Sequence, residues 1–90
     1  MILTWTPSAL DDLEKIIDYV AYQNVNAAVE LQDSITEKID LIASNNLIGR
    51  IGRAKGTREF VVHPHYVVVY DIVSQIRILR ILHTSQQWEG

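Results

Sequence analysis

Residues 58–82 read REFVVHPHYVVVYDIVSQIRILRIL, and this stretch decides the fold. It holds three runs rich in β-branched and aromatic residues, each about the length of a strand. His63-Pro64-His65 separates the first run from the second, with proline at the centre of a turn. Val73-Ser74-Gln75 separates the second from the third. Short connections of this kind join antiparallel neighbours, so the segment predicts a meander of three strands. The middle run, Tyr66 to Ile72, is apolar at both parities of the strand period. It is therefore expected in the centre of the sheet with both faces covered. On the last strand the period of two places Arg77 and Arg80 on opposite faces.

Upstream of this segment the pattern changes. Residues 47–56, Leu47 to Gly56, hold three glycines and three bases with no helical period, and are expected to form a surface loop. Before them stand two amphipathic stretches. Thr6 caps the first, and Pro7 suits its first turn, where a missing N–H costs nothing. Leu10, Leu13, Ile17 and Val20 then recur at helical spacing. The run QNVN at 23–26 breaks this helix, and Asn26 is placed to cap the next. Ala28, Leu31, Ile35, Ile39 and Ile42 form the second stripe, with Glu30, Asp33, Glu37 and Asp40 facing away. That helix should run to about Ser44, some ~28 Å at 1.5 Å per residue. Two helices with so short a link pack as an antiparallel hairpin. Residues 2–5, ILTW, read as an opening strand that joins the sheet edge. The predicted class is α+β, in the order β-α-α-β-β-β, with the hairpin on one face of a small sheet.

A chain of 90 residues forms one domain, expected over 1–90, with one modest core. Its hydrophobic content of 48% is high for that size and leaves apolar surface for a partner. Cysteine is absent, so disulfides and thiolate metal sites are excluded, which fits a reducing cytoplasm. The first residues lack a basic stretch ahead of an apolar one, so no signal peptide is expected. The apolar runs are far shorter than the ~20 residues of a membrane span. No cofactor and no membrane contact are expected. Net charge is −3, and its distribution is uneven. Residues 1–45 carry two bases and eight acids, residues 46–90 six bases and three acids. The second half can therefore present a local basic patch on an acidic protein.

These segments in this order resemble the RelE/ParE superfamily of type II toxins. TPSALDDLEKIIDYV at 6–20 is similar to the family's first helix. GRAKGTREFVVHPHYVVVYDI at 52–72 looks like its central signature of a Gly-Arg loop, an Arg-Glu strand start, a turn and a Tyr-rich strand. IRILRILH at 76–83 looks like the closing strand that ends in Leu-His. The resemblance covers nearly the whole chain. It implies a cytoplasmic bacterial growth-arrest toxin silenced by a cognate antitoxin, whose C-terminal segment is disordered when free and wraps the toxin. Operator DNA would be reached only through the antitoxin.

Two mechanisms divide that superfamily. RelE-like members enter the ribosome and cut mRNA, and ParE-like members inhibit DNA gyrase without known hydrolysis. Metal-free RNA cleavage needs a base, a cation for the charged phosphorane and an acid. Against the nuclease pattern, Arg58 matches a family base, but Phe60, Val67 and Ser85 stand where bases are found. Trp88 stands near the tail tyrosine without a hydroxyl. Each lost preorganised charge typically lowers the rate by about 10²–10³. The resemblance therefore favours gyrase inhibition. The alternative is a ribosome-dependent endoribonuclease with His83 and Arg58 as catalytic residues, and a further one is a non-toxic module that only binds antitoxin. Arg50, Arg53, Lys55, Arg80 and Trp88 are candidates for target or antitoxin contact. Glu59 is near enough to the bases to be considered a general base. His63 and His65 flank a turn, but no third metal ligand is visible beside them.

Overall fold

In a computed structural model the chain is described from residue 1 to 88, and Glu89 and Gly90 of the expected 1–90 domain lie outside the described residues. The elements are β1 (Leu3–Trp5), α1 (Pro7–Gln23), α2 (Val25–Ser44), β2 (Arg50–Ile51), β3 (Arg58–His63), β4 (Tyr66–Ile72) and β5 (Ile76–His83). They form the α+β architecture read from the sequence, with one added strand. The sheet order is β1-β5-β4-β3-β2. Neighbours are antiparallel except β1, which lies parallel to β5 at the edge. The meander puts β4 at the centre, and Val67, Val68, Val69 and Tyr70 are all buried.

The helices lie on one face, α1 over β5 and α2 over β3. Thr6 Oγ1 accepts the N–H of Ala9 at 3.1 Å and donates to the carbonyl of Leu79 at 3.0 Å. The cap of α1 thus also fixes the helix start to the sheet. The whole stripe predicted for α2 is buried, from Ala28 to Ile42. The α1 stripe differs at one position. Ala9, Leu13, Ile16, Ile17 and Val20 pack on the core, whereas Leu10 is exposed. At 100° per residue Leu10 stands roughly 60° round the helix from Leu13, at the margin of the buried stripe. The link between the helices is the single residue Asn24. Its N–H bonds the carbonyl of Val20 at 2.8 Å, and its Oδ1 accepts from Ala27 N–H at 3.0 Å. Asn24 therefore ends one helix and caps the next, and Asn26, expected as the cap, lies in the first turn of α2.

The segment expected to be only loop contains β2. Arg50 and Ile51 pair with Glu59 and Arg58, and Gly52 N–H bonds Thr57 O at 2.8 Å. A two-residue strand between glycines leaves no period to read. Tyr70 holds the start of this segment from below. Its hydroxyl accepts from Gly49 N–H and donates to Asn46 O, both at 2.9 Å. A Cβ on Gly49 would fall 2.8 Å from that ring and hydroxyl, so only glycine fits this approach. Tyr70→Phe is expected to cost about 1–3 kcal/mol, since a buried N–H loses its acceptor. Urea unfolding at neutral pH measures this.

β5 carries an irregularity that sequence period alone cannot show. Arg80 pairs with Val69, whereas Ile78 pairs with Tyr70, so Leu79 is an extra residue on β5. A bulge of this kind resets the alternation. Arg77 then stands opposite Asp71 and Arg80 opposite Val69, two positions that share one face of β4. The expected placement on opposite faces is thereby corrected.

Candidate functional site

Glu59 organises the basic segment. It is the only acid between Asp40 and Asp71, and its side chain is fully buried. Its carboxylate accepts from the backbone N–H of Arg53 at 2.8 Å, from Arg53 Nε at 3.1 Å and from Arg50 Nη2 at 3.3 Å. Burial alone would push the carboxyl up, but these donors more than offset it and hold Glu59 below the usual glutamate range. It is thus an ionised structural anchor with its oxygens occupied, which argues against a general base. Arg53 extends further and donates from Nη1 to Gln86 O at 3.2 Å. Arg50 and Arg53 are consequently oriented rather than free, while Lys55 is exposed and makes no ion pair among the described residues.

Arg58 and His83, the two candidate catalytic residues, are not brought together. Arg58 pairs with Tyr70 on one side of β4, and His83 pairs with Tyr66 on the other. Four residues of strand separate these positions, about 13 Å at 3.3 Å per residue. Arg58 Nη1 donates to Gly49 O at 2.7 Å, which ties β3 to the loop. His83 is exposed, and its Nδ1 lies 2.7 Å from Ser85 Oγ and accepts Ser85 N–H at 3.2 Å.

The imidazoles gather instead at the far end of the sheet. The ring centres of His65 and His83 are 5.7 Å apart and stacked, and those of His63 and His65 are 5.6 Å apart. Tyr66 meets His83 edge-on. His63 Nδ1 accepts His65 N–H at 3.1 Å, so this lone pair, like that of His83, is occupied by a turn. Among the described residues no three His or acid side chains are placed to hold a metal ion. Burial and the neighbouring His65 push the pKa of His63 down, which keeps it neutral at pH 7.

Arg80 is held by α1. Its Nε and Nη2 reach the two oxygens of Asp12 at 2.7 and 3.0 Å, and Asp12 Oδ2 also accepts Ile81 N–H at 2.9 Å. The bond to Asp12 raises the Arg80 pKa further. A cleft of about 350 Å³ opens beside this pair, lined by Lys15, Tyr19, Tyr66 and His83 among others. Trp88 stands elsewhere, packed with Leu79 against Val67, Val69 and Leu82 on the face without helices.

The candidate residues therefore occupy four places: the Glu59-anchored basic segment, the Asp12–Arg80 edge, the histidine end and, for Trp88, the helix-free face of the sheet. Sequence reading missed the organising roles of Glu59 and Asp12. One acid alone among Arg50, Arg53, Lys55 and Arg58 was a usable signal for Glu59; Asp12, one of several acids on α1, gave none. Among the described residues no helix is long and apolar enough to cross a membrane.

Known proteins share the sequence pattern and the fold of this chain. A family model described as "ParE toxin of type II toxin-antitoxin system, parDE" matches residues 3–88. A protein named "Putative toxin Y4kP", from Sinorhizobium fredii, is 34% identical over 87 residues, which span 96% of this chain and 91% of that protein. A solved structure titled "Chromosomal ParDE TA system from P. aeruginosa" superposes with a TM-score of 0.81 at 27% identity, covering 92% of this chain and 95% of the other.

Proposed function

We propose that this chain, which belongs to the ParE family of type II toxin–antitoxin toxins, arrests growth by binding DNA gyrase and not by cutting mRNA. The observation that carries the reading is the separation of Arg58 from His83, the first hydrogen-bonded to Gly49 in the loop ahead of β2 and the second to Ser85 in the turn after β5. A metal-free phosphoryl reaction needs its acid, base and cation around one phosphate. Two groups at least about 13 Å apart along a rigid strand do not meet that need. A protein inhibitor, in contrast, needs only a surface.

A cognate antitoxin is the second partner under this reading, as the ParDE system of the Pseudomonas relative suggests. The exposed apolar side chains, among them Tyr22, Val25, Ile51 and Val73, are compatible with a chain that works in complexes. Operator DNA is then contacted through the antitoxin.

The test is supercoiling of relaxed plasmid by purified gyrase with this protein freed of antitoxin. Inhibition with trapped cleaved DNA is expected, and His83→Ala should inhibit as well as the parent, within about twofold, because a surface contact loses little from one exposed side chain. No effect from a folded sample would sink the reading. Mapping of ribosome-bound mRNA ends would then decide for cleavage.

A further inference from the structure

All three histidines of the chain stand together, although two come from the β3–β4 turn and one from the end of β5. Tyr66 closes the group, with ring centres 5.6 Å from His63 and 5.8 Å from His83. The same place anchors the tail. Thr84 N–H bonds His65 O at 2.8 Å, and Thr84 Oγ1 reaches Pro64 O at 3.5 Å. Gln86 N–H bonds His83 O at 2.8 Å, and His83 N–H reaches Gln86 Oε1 at 3.4 Å. Arg53 Nη1 then donates to Gln86 O at 3.2 Å. These bonds carry the chain to Trp88, which packs on Val67, Val69 and Leu82. Two imidazoles belong to the turns themselves. His63 Nδ1 accepts His65 N–H at 3.1 Å, and His83 Nδ1 accepts Ser85 N–H at 3.2 Å. Each bond needs the Nδ1 lone pair, which a proton would remove. At His83 the Ser85 hydroxyl can accept that proton in exchange; at His63 no hydroxyl is bonded to Nδ1.

The surroundings do little for the charged forms. Among the described residues no carboxylate pairs with a histidine. His63 shares its clefts with Lys38 and Glu30 of α2, whose charges oppose each other. His83 shares its cleft with Asp12, Lys15 and Tyr19 of α1, Tyr66 of β4 and Arg80 of β5. There Lys15 is paired with Asp11 and Arg80 with Asp12. A second proton on rings less than 6 Å apart adds repulsion between them. We propose that this junction is a proton-operated latch: acid charges the imidazoles, parts the β3–β4 turn from the end of β5 and frees the tail from Thr84 onward. The apolar face under Trp88 is then covered in neutral solution and bare in acid. Burial and the neighbouring His65 hold the His63 pKa below the ordinary 6.5, so the open state binds more protons than the closed one. The latch therefore weakens as the pH falls below that ordinary value. Each extra proton held by the open state raises the opening constant by up to about tenfold per pH unit.

The test uses the full chain carrying Trp5→Phe, in which Trp88 is the only tryptophan. Acrylamide quenching of its emission is followed from about pH 7.5 to about pH 5, across the imidazole range, together with the ring resonances of the three histidines. Quenching should rise several-fold as the histidines titrate, while the methyl resonances of the buried Ile35, Ile39 and Ile78 stay in place. Glu59 is held below the usual glutamate range, so it stays ionised across this window and leaves the Arg53 contact intact. A second chain adds His63→Asn, His65→Asn and His83→Asn. An asparagine side-chain oxygen can take the place of Nδ1 as acceptor and does not titrate. In that chain Trp88 should remain protected to about pH 5. The proposal is overturned by a Trp88 that stays protected while the histidines titrate, or that is quenched freely already at about pH 7.5. Loss of the core resonances in the same step, or release at the same pH in the asparagine chain, overturns it equally. The Trp5→Phe measurement decides the matter even where the asparagine chain fails to fold.

Discussion

Glu59→Ala is expected to lower stability by about 3 kcal/mol, a large share of the 5–15 kcal/mol that holds a domain of this size. The carboxylate is fully buried and accepts three hydrogen bonds, one of them from the backbone N–H of Arg53. Its removal leaves that N–H without its acceptor and two guanidinium groups without their counter-charge. Both arginines are partly exposed and can turn toward water, which keeps the loss at the low end of the range for broken buried pairs. Glu59→Gln retains an acceptor and should lose about half as much. The acid limb gives an independent check. The folded pKa of Glu59 lies below its ordinary value, so its contribution is fully present above the unfolded carboxylate pKa of about 4.5 and disappears as the pH falls through the folded value. Urea midpoints against pH should therefore fall less steeply in acid for Glu59→Gln than for the parent. Equal slopes would show that Glu59 is not held ionised by these arginines. Toxicity of the two variants, compared at equal folded fraction, separates a structural anchor from a group that acts on a target.

The meander and the helical hairpin were legible because their signals are periodic and local. The β-branched runs about His63-Pro64-His65 and Val73-Ser74-Gln75 mark strand ends directly, and the α2 stripe from Ala28 to Ile42 is buried without exception. What could not be read depended on single long-range contacts. β2 exists because Arg50 and Ile51 find the edge of β3. The bulge at Leu79 shifts Arg80 to the parity of Arg77, and no composition rule marks it. Asn24 took the cap from Asn26 because a one-residue link leaves the first turn of α2 no other start. Most of the candidate site residues are basic, and charge says nothing of partners. Arg50, Arg53 and Arg80 each proved to be bonded to a carboxylate of the chain itself. An arginine held in this way presents only its outer edge to a partner, which narrows what the basic half can recognise.

Asp12→Ala is expected to cost about 2–4 kcal/mol, because one side chain joins α1 to the uncovered part of β5. β1 pairs only with Ile76 to Ile78, so beyond that point β5 has no strand on its outer side among the described residues. Asp12 fills that role, accepting the N–H of Ile81 and both nitrogens of Arg80. Asp12 and Arg80 are mostly buried, and hydrogen bonds to charged groups in such places contribute about 1.5–3 kcal/mol each. Arg80→Ala removes only the guanidinium and leaves Ile81 N–H satisfied, so it should cost about half as much. The double variant should lose less than the sum of the two, since the residues share one interaction. Amide exchange adds a local reading, with the Ile81 amide losing protection in Asp12→Ala and keeping it in Arg80→Ala. If Arg80→Ala instead abolished growth arrest at unchanged stability, Arg80 would be a contact residue for the target as well as a clasp between helix and sheet.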